Sequence, residues 1–172
     1  MRWENPYLLL GLWALPVLAA LLVSLVAGLL LIFAVVVMPG LATLDDRGFL
    51  RAFKAIDRVI QDSQPVFVLV WGGSILAVVI AAVLAATQAS GSVRVLVLAA
   101  AGVYLLGVQV STFVNNIPLN NQVQGHDFDS MDAEQLAGAR AAFEPPWNRW
   151  NQLRTVFAVL SSIAFLVALT QL

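Results

Sequence analysis

The chain predicts an all-α fold, a four-helix bundle that crosses a membrane, and three observations carry that reading. Hydrophobic residues make up 60% of its 172 positions and charged ones 11%, with a mean hydropathy of +0.88. A soluble domain carries roughly 25% charged residues. Four apolar stretches, at about 8–38, 65–86, 93–114 and 152–169, approach or exceed the ~20 residues of a helical span. Each is continuously apolar rather than alternating, which selects helices over a β-barrel. The expectation is one polytopic domain over 1–172, with short interfacial helices in loops 1 and 3.

The first stretch, Leu8–Met38, is too long for a cleavable signal peptide and lacks a polar region with a small-residue cleavage site. It reads as a retained helix, with Pro16 separating an interfacial start (Trp3, Tyr7, Trp13) from the span. In loop 1, Phe49, Ala52, Phe53, Ile56 and Ile60 recur at helical spacing, and Arg51, Lys54 and Arg58 share another face. That pattern predicts an amphipathic helix lying on the membrane surface. The second stretch turns tightly through Thr87–Ser92, with Gly91, into the third.

The third stretch ends at Asn115-Asn116-Ile117-Pro118-Leu119-Asn120-Asn121. Pro118 is expected to break the helix there. Four asparagines, each with donors and acceptors, point to a polar pocket, because a helix cap uses one. In loop 3, Asp132 and Gln135 fit a capping box. Leu136, Ala139, Arg140 and Phe143 then predict a short helix that Pro145-Pro146 ends. Small residues at four-residue spacing (Ala20, Ser24, Gly28; Gly73, Ala77, Ala81, Ala85; Gly107, Ser111) predict close helix packing.

Four spans place both termini on one side. That side has Arg2 and Arg94; the other has Arg47, Arg51, Lys54, Arg58, Arg140 and Arg149, with Arg154 near the boundary. The positive-inside rule puts loops 1 and 3 in the cytoplasm and the termini outside, in what is expected to be a bacterial inner membrane.

With no cysteine, the chain has no disulfide, thiol chemistry or iron–sulfur ligation. His126 is its single histidine, which excludes a bis-histidine haem within one chain. It sits in the polar loop beside Asp127 and Asp129, where a solvated role competes with that of a general base. Asp127, Asp129 and Asp132 do not make a calcium loop, because the turn-glycine position is Asp132 and the bidentate-Glu position is Gly138. No metal and no cofactor is expected, and no basic run suggests nucleic acid.

By topology, four polar elements meet at one membrane face. They are Met38-Pro39-Gly40; Asp57, Arg58 and Gln64; Gln109, Thr112, Asn115, Asn116 and Asn120; and Trp147, Trp150, Asn151, Arg154 and Thr155. Trp147, Trp150, Asn151 and Arg154 stand at i, i+3, i+4, i+7 and share a helical face. A buried Arg154 needs a partner; Asp57 and the amide oxygens of Asn115 and Asn120 are the candidates. Against this stands the plainer reading of an aromatic belt with a snorkelling arginine. The binding candidates are Trp147, Trp150, Asn151, Asn116, Thr112 and Arg58.

The runs AGLLLIFAVVVMPGL, FKAIDRVI, TFVNNIPLNNQV and WNRWNQLRT occur in this order. Together they resemble the anthrone oxygenase-like family of small four-helix membrane proteins, catalogued as a domain of unknown function. The resemblance rests on Asn115, Pro118, Asn120, Trp150, Asn151, Arg154 and Thr155, with Pro39 and Gly40. The chain departs from the usual family pattern at Lys54 and Asp57. A few members turn anthrones into anthraquinones, and the resemblance implies related chemistry on a lipophilic aromatic or quinone-like ligand. Such a reaction needs a base and donors for a developing oxyanion. Arg154, Asn115 and Asn120 are the candidate donors, His126 or Asp57 the candidate base, and Trp150 a stacking surface. Two functions stay open: a cofactor-independent oxygenase, or a non-catalytic accessory subunit or lipid-binding scaffold in a homo-oligomer or larger membrane complex.

Overall fold

The computed structural model describes residues 6–171, with side chains from Ala14 onward. All its regular elements are helices: α1 Pro6–Ile32, α2 Met38–Leu41, α3 Asp46–Gln61, α4 Pro65–Gln88, α5 Gly91–Gly102, α6 Ile117–Gly125 and α7 Ala133–Leu169. Three stretches, Phe33–Val37, Val103–Val110 and Thr112–Asn116, are wound wider, as π-helix. Met38 N–H bonds to Phe33 O and Ile117 N–H to Thr112 O, five residues back in each case. Four continuous rods result, Ala14–Leu41, Pro65–Gln88, Gly91–Gly125 and Ala133–Leu169, all long and apolar enough to cross a membrane.

The rods carry Leu, Val and Phe side chains outward along their length, as a lipid-facing bundle does. Lipid removes the hydrophobic drive between helices, so close packing and interhelical hydrogen bonds must hold them. Ser24 Oγ and Ser162 Oγ lie 2.6 Å apart, Ser74 Oγ and Tyr104 Oη 2.6 Å, and Ser161 Oγ donates to Ala100 O at 2.9 Å. Ala77, Ala81 and Ala85 are buried, as the small-residue spacing predicts, whereas Gly28 faces open space. Arg94 closes the α4–α5 turn by donating to Ala85 O and Ala86 O, satisfying carbonyls at the end of α4.

A second core sits on one end of the bundle. Met38, Phe49, Leu50, Phe53, Val123, Phe128, Leu136, Phe143 and Trp147 are buried together there. Here α3 departs from expectation. Phe49, Leu50 and Phe53 of its apolar face are covered by α6 and α7, while Ile56 and Val59 stay exposed. The reason is a companion face: Leu136, Phe143 and Trp147 present the surface that Phe49 and Phe53 need, with Phe53 and Phe143 ring centroids 4.5 Å apart. Asp45 caps α3, accepting from Gly48 N–H at 2.7 Å, and the Asp132–Gln135 capping box starts α7.

Prolines do not divide the helices where the sequence suggests. Pro16 lies within α1, and of the aromatic start placed before it, Trp3 falls outside the described residues and the side chains of Tyr7 and Trp13 are not described. Pro118 occupies the first turn of α6 and directly follows a π turn, so its missing N–H is tolerated and the rod runs on to Gly125. Pro145-Pro146 lie inside α7, so loop 3 has no separate short helix. Buried Phe143 and Trp147 hold the chain on both sides of the pair, and Ala141 and Ala142, whose carbonyls lose their helical donors, are exposed residues.

Candidate functional site

A cavity of about 230 Å³ opens where the two cores meet. Three rows at four-residue spacing build it, with Gln61 and Gln124 behind the lining on Asp57. Along the third rod run Thr112, Asn116, Asn120 and Gln124; along α3, Phe53, Asp57 and Gln61; along α7, Trp147 and Asn151 with Arg154. Residues four apart share a helical face, and the π turn at Thr112–Asn116 sets the phase that turns the first row inward. Phe33, Phe53, Phe67, Trp71, Phe113 and Trp147 make the remaining wall largely aromatic.

Asp57 is 2% exposed, and among the described residues no Lys or Arg pairs with it. Three amides take the place of a cation. Asn120 Nδ2 donates to Oδ1 at 2.7 Å, while Gln61 Nε2 and Gln124 Nε2 donate to Oδ2 at 2.7 and 2.8 Å. Asn120 is held in turn, its Oδ1 accepting from Trp147 Nε1 at 2.8 Å. An indole N–H thus reaches the carboxylate through one amide.

Arg154 is 4% exposed. It donates to Thr112 Oγ1 at 2.9 Å and Asn151 Oδ1 at 3.1 Å, and lies 6.0 Å from the Trp147 ring centroid. None of its three expected partners, Asp57, Asn115 or Asn120, bonds to it. Thr112 and Asn151 are themselves anchored, by Val108 O and Leu30 O. Arg154 Nε, Asn116 Oδ1 and Gln109 Nε2 are buried without a hydrogen-bond partner. Unsatisfied polar atoms of this kind are infrequent in proteins, and two of these three residues line the cavity.

The structure therefore brings together Arg154, Asn120, Asn116, Thr112, Trp147, Asn151 and Asp57. Other candidates lie elsewhere. Asn115 and Trp150 line a separate, lipid-side groove with Gly107 and Phe157, and Asn115 Nδ2 donates to Ser111 O. The α7 face drawn from Trp147, Trp150, Asn151 and Arg154 is thus split by Trp150. His126 is exposed outside the cavity, its Nδ1 2.6 Å from Gln122 O and its ring stacked on Phe128. Arg58 is exposed and does not line the cavity; Gln64 caps α4 through Phe67 N–H; Thr155 bonds back to Asn151 O. Pro39 borders a different recess, with Glu144 and Asn148.

Sequence reasoning missed Gln61 and Gln124, although each stands four residues beyond a residue it had singled out. The aromatic wall of Phe33, Phe53, Phe67, Trp71 and Phe113 gave no such signal, being indistinguishable from ordinary span and core residues.

No curated protein and no solved structure matches the chain significantly. A family model described as anthrone oxygenase matches residues 66–164. The matched segment holds the asparagine row and the Trp147–Asn151–Arg154 row, and stops short of Asp57. It spans more than half of the 172 residues, and the chain belongs to the anthrone oxygenase family.

Proposed function

We propose that the cavity is the active site of an oxygenase that takes a planar, lipophilic anthrone-like substrate and molecular oxygen. One observation carries the reading: a buried carboxylate and a buried guanidinium line one aromatic-walled cavity without pairing to each other. Both groups are held by neutral partners, so both charges remain available to a ligand.

The chemistry fits the pair. The methylene of an anthrone lies between two rings and opposite a carbonyl, so its C–H is acidic. Asp57 removes that proton, and the electron pair moves to the carbonyl oxygen as an enolate. Arg154, whose side chain lines the cavity, holds the oxyanion; low-dielectric surroundings make such preorganised donors effective. The enolate passes one electron to O2, the radical pair combines as a carbon-bound peroxide anion, and that anion takes the proton back from Asp57 as a hydroperoxide, whose remaining C–H proton leaves with hydroxide. Loss of water leaves a second carbonyl. The balance is anthrone plus O2 to anthraquinone plus water, so the substrate itself supplies the electrons. Phe33, Trp71 and Trp147 offer flat surfaces for the rings.

The test is oxygen uptake and quinone absorbance by purified protein in lipid vesicles given anthrone. Asp57→Asn and Arg154→Lys should each lower the rate over spontaneous oxidation by roughly 10²-fold or more, with melting temperatures showing that the chain stays folded. Wild-type rates in both variants would overturn the assignment, and a protein without uptake that co-purifies with a stoichiometric partner would favour a scaffold.

A further inference from the structure

The cavity segregates its lining by exposure. Asp57, Thr112, Asn116, Asn151 and Arg154 are all at least nine-tenths buried, whereas the most exposed lining residues are Phe113 at 58% and Ile117 at 36%. Among the half-buried lining, Asn120 is the polar member, and Asp57 and Trp147 occupy its amide. The mouth is therefore hydrocarbon and the interior polar.

Packing of the rods explains where that mouth lies. The third rod packs on α7 along its whole length, but only its α5 part packs broadly on α4 as well. Trp71 Nε1 donating to Gln109 Oε1 at 3.1 Å ties α4 to the third rod. Nearer the cap, Phe67 on α4 and Phe113 on the third rod border the opening. On the cap side the way is closed. Gln124 Nε2 bonds to Lys54 O as well as Asp57, Lys54 Nζ reaches His126 O, and Arg47 holds Phe128 O and Met131 O.

We propose that the gap between α4 and the third rod is a lateral portal, through which the ligand enters from the bilayer rather than from water. This rests on reading the cavity as the substrate site and adds the route and the form of the substrate. The 230 Å³ cavity is below the roughly 300–1,000 Å³ of pockets that enclose drug-sized ligands. It suits a compact fused-ring head, with any hydrocarbon tail left among the lipid chains outside Phe67 and Phe113. The ligand class is a membrane-dissolved, ring-headed amphiphile.

The chain has no cysteine, so one introduced thiol reports access without background. Leu29→Cys places it on the cavity wall. In phosphatidylcholine proteoliposomes, neutral N-phenylmaleimide should label it about tenfold or more faster than a sulfonated maleimide, because the charged reagent does not partition into hydrocarbon. Rates are normalised to Ser130→Cys, an exposed loop site open to both reagents. Phe113→Ala should raise the N-phenylmaleimide rate several-fold and Phe113→Trp lower it, at a position exposed enough to leave the fold intact. Comparable labelling by the sulfonated reagent, no labelling by either, or indifference to both Phe113 variants would overturn the portal. These readouts are independent of oxygen uptake, so failure of the portal and failure of the oxygenase reading are told apart.

Discussion

Asn120 joins two parts of the site through one amide. Its Oδ1 accepts from Trp147 Nε1 and its Nδ2 donates to Asp57 Oδ1. The orientation is forced, since an indole N–H is a donor alone and the carboxylate faces two further amide donors. Asn120→Ala unpairs the Trp147 N–H and removes one of three donors from a buried carboxylate. The expected loss is about 1–3 kcal/mol of stability, read as a lower melting temperature in detergent, with a fall in oxygen uptake. Asn120→Asp would set a second carboxylate against Asp57 and should be worse. Full stability in the alanine variant would mean that water or a shifted Gln124 replaces the amide.

At the level of the helices, the π turns decide which residues face inward. The sequence makes the four spans legible, because twenty apolar residues leave few alternatives, and it makes Asp45 and Asp132 legible as caps. It also brings Asp57, Asn120, Trp147, Asn151 and Arg154 to one end, because topology alone does that. It does not separate Asn116 from Asn115, or Trp147 from Trp150. For the asparagines, the wider turns at Val103–Val110 and Thr112–Asn116 reset the phase that a regular 3.6-residue period would give; on α7, which has no such turn, Trp147 and Trp150 stand three residues apart at two edges of one face and meet different recesses. Prolines mislead for a related reason: Pro118, Pro145 and Pro146 carry the breaker signal, but packing of Phe143, Trp147 and the asparagine row overrides it. The same π stretch brings Gly107 against α7. A Cβ there would lie 2.6 Å from Phe157 Cγ and 2.9 Å from Phe157 Cβ, too near the backbone for the ring alone to yield. Gly107→Ala should destabilise by about 1–3 kcal/mol, and Phe157→Ala in the same chain should recover most of it. An unchanged melting temperature in the single variant would show that the rods separate freely at this point.

The whole molecule divides into an apolar bundle and a charged cap, and the cap holds most of the chain's cationic side chains. Arg47, Arg51, Lys54 and Arg140 are used inside it: Arg51 pairs with Asp129, and Arg140 bonds Glu144 at 2.7 Å and Asp46 at 3.1 Å. The exposed Arg51–Asp129 pair adds little stability, so the stronger effect of these charges falls on topology. The opposite end carries Arg94 on its turn. Lys and Arg excess retains a segment in the cytoplasm, so we infer that the cap is cytoplasmic and the α4–α5 turn external. Ser90 and Ser130 are both exposed, one at each end. In intact cells S90C should react with a membrane-impermeant maleimide, and S130C should react after the membrane is opened. The reverse pattern would invert the molecule. Either result leaves the lateral portal in place, because a mouth that faces hydrocarbon is reached from the bilayer in both orientations.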